Sequence, residues 1–224
     1  PLDKGGLRGI MFKQKYSSVN KIKSPQPLAS LCGRSGPLSR GQSGDKPRLL
    51  LHICCVGCGV YVSQLLKQDY DIRLFFYNPN IWPAEEYEKR LKEAEKIAAN
   101  FKLELIAGEY DHDKWLAAVR GHEADLEKGE RCLICYKFRL DRAAAMAEKL
   151  NCSCLTTTLT TSPHKIASAI NEIGEQAATR YGLKFLNQDF KKKDGFKKSA
   201  ALSLELGLYR QNYCGCEFSR INSL

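Results

Sequence analysis

The sequence predicts a single α/β domain built on a Rossmann-like, doubly wound and mostly parallel sheet. Three observations carry that expectation. Short apolar runs recur between residues 48 and 186. They read as continuous rather than alternating, as strands covered on both faces require. Each is followed by a helical stretch, and strand–helix alternation with right-handed crossovers places helices on both sides of a parallel sheet. The 224 residues suffice for one such domain with a core, plus extensions.

Residues 48–53 form the first apolar run, ended by Cys54-Cys55-Val56-Gly57-Cys58-Gly59, with a helix expected over 60–67. A second strand is expected over 72–77, ended by Asn78-Pro79-Asn80. Pro83 opens a long helix to residue 100, since a first turn leaves its N–H groups unbonded anyway. Tyr87, Leu91, Ala94 and Ala98 give that helix an apolar stripe, and Glu85/Lys89 and Glu86/Arg90 pair at i,i+4. The third strand is 103–106, helical stretches follow from 115–119 and over 132–150, and the Thr-rich fourth strand is 155–159. A helix over 163–181, a short strand at 184–186 and a last helix over 198–206 complete the pattern. Ligands of such sheets bind beyond the carboxyl ends of the strands. That rule gathers Cys54 and Cys55, Asn78 and Asn80, Ser162 and His164, and Asp189 and Phe190 along one edge.

The net charge of +10 suggests an acidic partner. Residues 1–47 hold nine lysines and arginines against Asp3 and Asp45, and so account for +7 of it. This stretch is rich in Ser, Gly and Pro and lacks periodicity. It reads as a basic, flexible N-terminal extension, either merely solvated or an arm that strengthens nucleic-acid binding. Residues 48–224 read as one α/β domain, expected to bind metal through the cysteines it carries. No stretch approaches the ~20 apolar residues of a membrane helix, and no secretory leader is visible. The expected location is the cytoplasm, with no membrane partner.

Six of the ten cysteines fall in three pairs, Cys54-Cys55, Cys132-x-x-Cys135 and Cys214-x-Cys216, each at or beside an element end. Thiolates suit zinc and iron–sulfur clusters far better than hard cations. The first two pairs supply four, enough for one [4Fe–4S] cluster or one structural zinc, although a vicinal pair is an awkward zinc knuckle. Cys58 is a fifth candidate. Cys132 and Cys135 open a helix, whose positive dipole end is expected to lower their pKa. Cys214 and Cys216 can cycle between dithiol and a strained disulfide, with Gly215 relieving the bend, or bind a metal ion. Cys32 reads as a bystander, and Cys152 and Cys154 as buried thiols.

Asp189 to Lys198 interleaves five lysines with Phe190 and Phe196. It either grips phosphates while a ring stacks on a base, or is a solvated loop with its phenylalanines in the core. Arg210, beside the CxC, suits a phosphate. His164 is a candidate proton donor or simply a helix-start residue. His52 reads as core, and His112 and His122 as surface. No GxxxxGK[ST], GxGxxG or SGGxDS-type loop is present, which argues against ATP- or NAD-dependent chemistry.

Five ordered motifs resemble epoxyqueuosine reductase of the QueH type, from about residue 48 to 219. They are Leu51-His52-Ile53-Cys54-Cys55, Glu130-Arg131-Cys132-x-x-Cys135-Tyr136, Thr156-Thr157-Thr158-Leu159-x-x-Ser162-Pro163, Asp189-Phe190-x-Lys192-Lys193-x-Gly195 and Tyr209-Arg210-Gln211-x-Tyr213-Cys214-Gly215-Cys216. The resemblance implies a HUP-like sheet and the last step of queuosine synthesis, reduction of epoxyqueuosine in a tRNA anticodon without cobalamin. It implies a [4Fe–4S] cluster on Cys54, Cys55, Cys132 and Cys135, and a redox-active Cys214–Cys216 pair. Some relatives carry an aspartate near the first motif as a metal ligand; Cys58 occupies that neighbourhood here. An additional mononuclear iron would draw on Cys58, Cys214 and Cys216. Asp189, Tyr209 and His164 are then the candidate proton sources, and Arg210, Lys192 and Lys193 the tRNA contacts. The partners are a tRNA bearing epoxyqueuosine and an electron donor the sequence does not name. The rival readings are another iron–sulfur tRNA-modifying enzyme of thiolase type and a zinc-stabilised RNA-binding module that is not an enzyme.

Overall fold

The computed structural model describes Cys32 and residues 46–221, apart from the side chains of Val56, Arg220 and Ile221. The expected basic extension over 1–47 lies almost wholly outside the described residues.

Five strands form one sheet: β1 (Arg48–Ile53), β2 (Asp71–Phe76), β3 (Glu104–Ala107), β4 (Cys154–Thr157) and β5 (Lys184–Phe185). Their order is β3-β2-β1-β4-β5, and every pairing is parallel. The helices among the described residues are α1 (Val56–Leu66), α2 (Ala84–Phe101), α3 (His112–Ala118), α4 (Glu130–Lys149), α5 (Ala167–Arg180), α6 (Gly195–Glu205) and α7 (Glu217–Ile221).

The apolar run of β1 explains the double cover. Leu49, Leu50 and Leu51 are all 0% exposed. Leu49 and Leu51 pack with Val60, Leu66 and Ile97 from α1 and α2, whereas Leu50 packs with Leu140, Ala143, Ala144 and Ile170 from α4 and α5. Each such leucine contributes roughly 1.5–3 kcal/mol of transfer free energy. The alanines at the centre of α4 let that helix lie close to the sheet. No helix among the described residues is long and apolar enough to cross a membrane.

The structure departs from the expected elements where turn chemistry overrides local pattern. Helix α1 begins at Val56 rather than residue 60, because Cys55 takes an extended N-cap conformation and its carbonyl accepts from Gly59 N at 3.0 Å. The two glycines of this first turn are supported from outside, by a hydrogen bond from Ser199 of α6 to the Gly57 carbonyl. Strand β4 stops at Thr157, whose hydroxyl accepts from Leu159 N at 3.2 Å and starts a 3-10 turn over Thr158–Thr161. Helix α7 was not expected. Cys32 is not a bystander and Cys154 is not a free thiol, since a disulfide joins them inside the core. His112 is not a surface residue: its Nδ1 donates to the Pro79 carbonyl at 2.7 Å and its ring lies 5.5 Å from that of Tyr110.

The strand order reverses between β1 and β4. The chain leaves β1 and β4 toward opposite faces of the sheet, into α1 and α5, and a crevice opens above their carboxyl ends.

Candidate functional site

Cys54 and Cys55 occupy that crevice. The Cys54 N–H donates to Thr158 Oγ1 at 3.2 Å, across the gap from β4, and Asn78 Nδ2 donates to the Ile53 carbonyl at 2.9 Å. On a strand two adjacent side chains would point apart. Here the turn into α1 brings their sulfurs to 3.8 Å, and Cys58, in the first turn, joins them. The three thiols share their protons unequally. Hydrogen bonds from Cys55 and then Cys58 hold Cys54 well below the usual thiol range. Cys55, bound to that sulfur, is pushed up to about 11, and Cys58 is raised for the same reason. Two S–H donors thus favour the deprotonated form of Cys54 over that of its two neighbours.

The facing wall comes from α4 and the segment before α7. Cys132 and Cys214 line the same cavity, of about 600 Å³, as Cys54, Cys55 and Cys58. Cys135 lies buried behind them with Cys216, both packed on Trp115 and Val119. Cys214 and Cys216 are free thiols. Burial, then the neighbouring Cys214, pushes Cys216 up to about 12. Burial also raises Cys132 and Cys135, contrary to the expectation that the helix dipole would lower them. For Cys132 at the cavity and Cys135 buried behind it, desolvation outweighs the N-terminal dipole. Among the described residues no three His, Cys, Asp or Glu side chains already stand as a single-ion site. The sulfurs surround a space instead of converging on a point.

The CxC turn is held from α2. Arg90 Nη1 donates to the Cys214 carbonyl at 3.0 Å while its Nε binds Glu86 Oε1 at 2.7 Å. The Trp82 N–H donates to the Gly215 carbonyl at 2.9 Å. Gly215 has φ +110°, and a Cβ there would lie 2.9 Å from Arg90 Nη1 and from Ile81 Cγ1. This position therefore requires glycine on two counts.

Two further cations, Arg139 and Lys165, line the cavity, and neither was singled out from the sequence. Arg139 of α4 is 2% exposed and lines it. Its Nη1 donates to Asn78 Oδ1 at 2.9 Å, and Cys135, Cys54 and Cys214 reinforce its charge against burial. Lys165, just beyond the Ser162-Pro163-His164 turn, also lines the cavity. Burial alone would lower its pKa, but the facing Cys214, Cys54, Tyr136 and Cys55 together raise it. The sequence signal for Lys165 was its place next to His164. Arg139 offered none, because an arginine in an alanine-rich helix reads as solvent-facing. Behind the sulfurs, burial and then the Arg139 charge lower His52 to about 4, so it is neutral. Its Nε2 donates to the Tyr77 carbonyl at 3.1 Å, and its Nδ1 accepts from Thr157 Oγ1 at 2.9 Å.

Of the remaining predicted residues, His164 and Arg210 line the cavity. Asp189, Tyr209, Lys192 and Lys193 are not among its lining residues. Asp189 pairs with Lys191 at 3.3 Å. The Tyr209 hydroxyl donates to Glu86 at 3.2 Å, with Lys89 Nζ 3.4 Å from its ring centre. Lys192 and Lys193 are exposed at the start of α6. The two phenylalanines of this stretch divide: Phe190 is in the core, and Phe196 is 38% exposed, at the cavity beside Arg210 with 6.0 Å between ring centre and guanidinium carbon.

Comparison with known proteins gives a consistent result. A family model described as epoxyqueuosine reductase QueH matches residues 49–222. The epoxyqueuosine reductase QueH of Thermotoga maritima is 40% identical over 177 residues, covering 76% of this chain and 89% of the relative. That of Streptococcus pyogenes is 34% identical over 180 residues, 78% of this chain and 71% of the relative. That of Staphylococcus epidermidis is 33% identical over 218 residues, covering 94% of this chain and 88% of the relative. Residues 48–224 alone do not account for that share, so this similarity extends into the first 47 residues, beyond the motif resemblance. Among solved structures, the U34-tRNA thiolase NcsA of Methanococcus maripaludis with its [4Fe-4S] cluster superposes with a TM-score of 0.53 at 12% identity, over 86% of this chain and 66% of that one. That likeness is one of fold.

Proposed function

The chain belongs to the epoxyqueuosine reductase QueH family, and on that premise we propose that the cysteine-lined cavity is where the epoxide of epoxyqueuosine is reduced to the alkene of queuosine in tRNA. The reaction takes up two electrons and two protons, breaks both C–O bonds of the epoxide and releases water. The observation that carries the site assignment is the gathering of Cys54, Cys55, Cys58, Cys132 and Cys214, from three distant stretches of chain, around one cavity at the switch point of the sheet.

The donor set suits an iron–sulfur cluster. All the candidate ligands are sulfur, and the buried Arg139 guanidinium at the cavity leaves its Nε and Nη2 without hydrogen-bond partners, a wall ready for an anionic group. Cys54, Cys55, Cys132 and Cys135 would hold a [4Fe–4S] cluster, which when bound supplies electrons singly and a Lewis-acidic iron. Cys58 and Cys214, with Cys216, are the candidates for an additional iron. Alternatively, Cys214 and Cys216 supply an electron pair as a dithiol that closes to a disulfide.

The chain's own residues handle protons and RNA. His164 and Lys165 hold protons at the cavity for the departing oxygen. Asp189 and Tyr209 stand elsewhere with partners of their own, so we do not assign them that task. Phe196 offers a face to an unpaired base, and Arg210 a bidentate donor to its phosphate. Lys192 and Lys193 extend the basic rim toward the flanking backbone. A tRNA substrate places the work in the cytoplasm, with a separate reductant supplying electrons.

Two measurements test this reading. Protein purified without oxygen should be brown, with iron and sulfide in comparable amounts; colourless protein holding zinc supports an RNA-binding module instead. Mass spectrometry of tRNA nucleosides from cells lacking the gene and any second reductase should show accumulated epoxyqueuosine, and unchanged queuosine would refute the assignment.

A further inference from the structure

We propose that Arg139 is the fixed counter-charge of the metal centre, holding its guanidinium against the anionic side of the cysteine cavity and raising the reduction potential of the cluster bound there. The inference rests on the cluster reading above. Arg139 is 2% exposed, yet among the described residues no carboxylate pairs with it. The hydrogen bond it makes there is to the neutral amide of Asn78, at 2.9 Å. Its Nε and Nη2 have no hydrogen-bond partner among the described residues. A buried cation with two unmet donors is strongly unfavourable unless an anion faces it. The groups that face it are Cys135, Cys54, Cys214 and Tyr136.

The surroundings sharpen the point. Glutamine could link α4 to the Asn78 turn, because that link uses one N–H. The remaining donors of an arginine serve no such contact. Arginine stays charged at any working pH, so Arg139 is a permanent positive charge on this side, with Lys165 among the other residues lining the cavity. A four-thiolate cluster becomes more negative when it takes an electron. A nearby cation and N–H donors to sulfur stabilise that reduced form more than the oxidised one. Arg139 thus makes the cluster easier to reduce. It is a positioning residue, acting through the cluster rather than on the substrate.

The test uses the full chain purified without oxygen, with iron and sulfide counted and the midpoint potential followed by electron paramagnetic resonance during a redox titration. Arg139→Gln should keep its iron and shift the midpoint to a more negative value, whereas Arg139→Lys should recover most of the shift. A midpoint in Arg139→Gln equal to that of the unaltered protein overturns the proposal while leaving the cluster reading intact. Should Arg139→Gln fail to retain a cluster, Asn78→Asp replaces it. That variant leaves the guanidinium in place but neutralises it, at the loss of the Asn78 Nδ2 bond to the Ile53 carbonyl, and should shift the potential in the same direction; an unmoved potential there overturns the proposal equally. Absence of iron and sulfide from the unaltered protein would overturn the cluster reading and this inference together.

Discussion

Arg90 and Cys214 are joined by a 3.0 Å hydrogen bond from the guanidinium Nη1 to the main-chain carbonyl, and the arginine that makes it is 1% exposed. The same guanidinium lies 5.0 Å from the ring centre of Tyr213, whose hydroxyl donates to the Trp82 carbonyl at 3.0 Å. The CxC turn is therefore fastened to α2 and to the residues before it, and presents the Cys214 thiol to the cavity from a rigid support. A thiol that exchanges electrons within the site gains from such fastening, because misplacement of about 1 Å can cost a hundredfold in rate.

Gly215→Ala tests the fastening. The new Cβ would meet both Arg90 and Ile81, and the positive φ disfavours it independently. Strain of roughly 1–3 kcal/mol is expected. If expressed in positioning, it lowers turnover by about ten- to a hundredfold, with the melting temperature lowered by a few degrees and the iron content unchanged. Unchanged turnover would show that the turn need not be held so closely.

Cys214→Ser should abolish turnover and leave the brown colour, since Cys214 is proposed as a redox thiol and not a ligand of the cluster. Cys132→Ser should remove the colour. Absorbance near 400 nm and iron analysis distinguish the two, and loss of colour in Cys214→Ser would move that residue into the ligand set.

Phe196→Ala should weaken tRNA binding by about 1–3 kcal/mol, the usual worth of one stacked base. Arg210→Ala should weaken it too, and also reduce the slope of log affinity against log salt by about one. Binding titrations at several salt concentrations separate stacking from phosphate contact. Equal affinity for both variants and the unaltered protein would move the RNA path elsewhere.

Asp111 ties the end of β2 to α3. Its Oδ2 accepts from the Tyr77 hydroxyl at 3.0 Å and its Oδ1 from Lys114 Nζ at 2.7 Å, and the lysine bond holds the carboxyl below its usual range. A depressed carboxylate contributes stability above its unfolded pKa of about 3.9 and loses it as pH falls through the folded value. Asp111→Ala should therefore cost about 1–2 kcal/mol at neutral pH, with a gap that narrows below pH ~4. Denaturant unfolding at several pH values checks both the size and the trend.

How much of this was legible in the sequence follows from which forces act locally. The strand runs of β1 and β2 declare themselves because both faces are covered, so apolar residues need not alternate. The three cysteine pairs declare themselves by spacing alone. The start of α1 was hidden because Gly57 and Gly59 disfavour a helix, and the bond from Ser199 that supports the turn comes from far along the chain. Arg139 was hidden for a related reason: its burial depends on how α4 packs over β1 and β4, which no local pattern records. Asp189 and Tyr209 were drawn toward the site by neighbouring motif residues. Sequence proximity brought them near without fixing the direction of their side chains.

The strand order has a further bearing on how the protein matures. One wall of the cavity follows the first strand and another comes from the segment after the last, so a nascent chain still lacking Cys214 offers an open, half-built cup. Delivery of iron and sulfide before that final stretch emerges would meet thiols open to water and oxygen. A cluster held by both walls would be enclosed only once that last stretch has folded against α4.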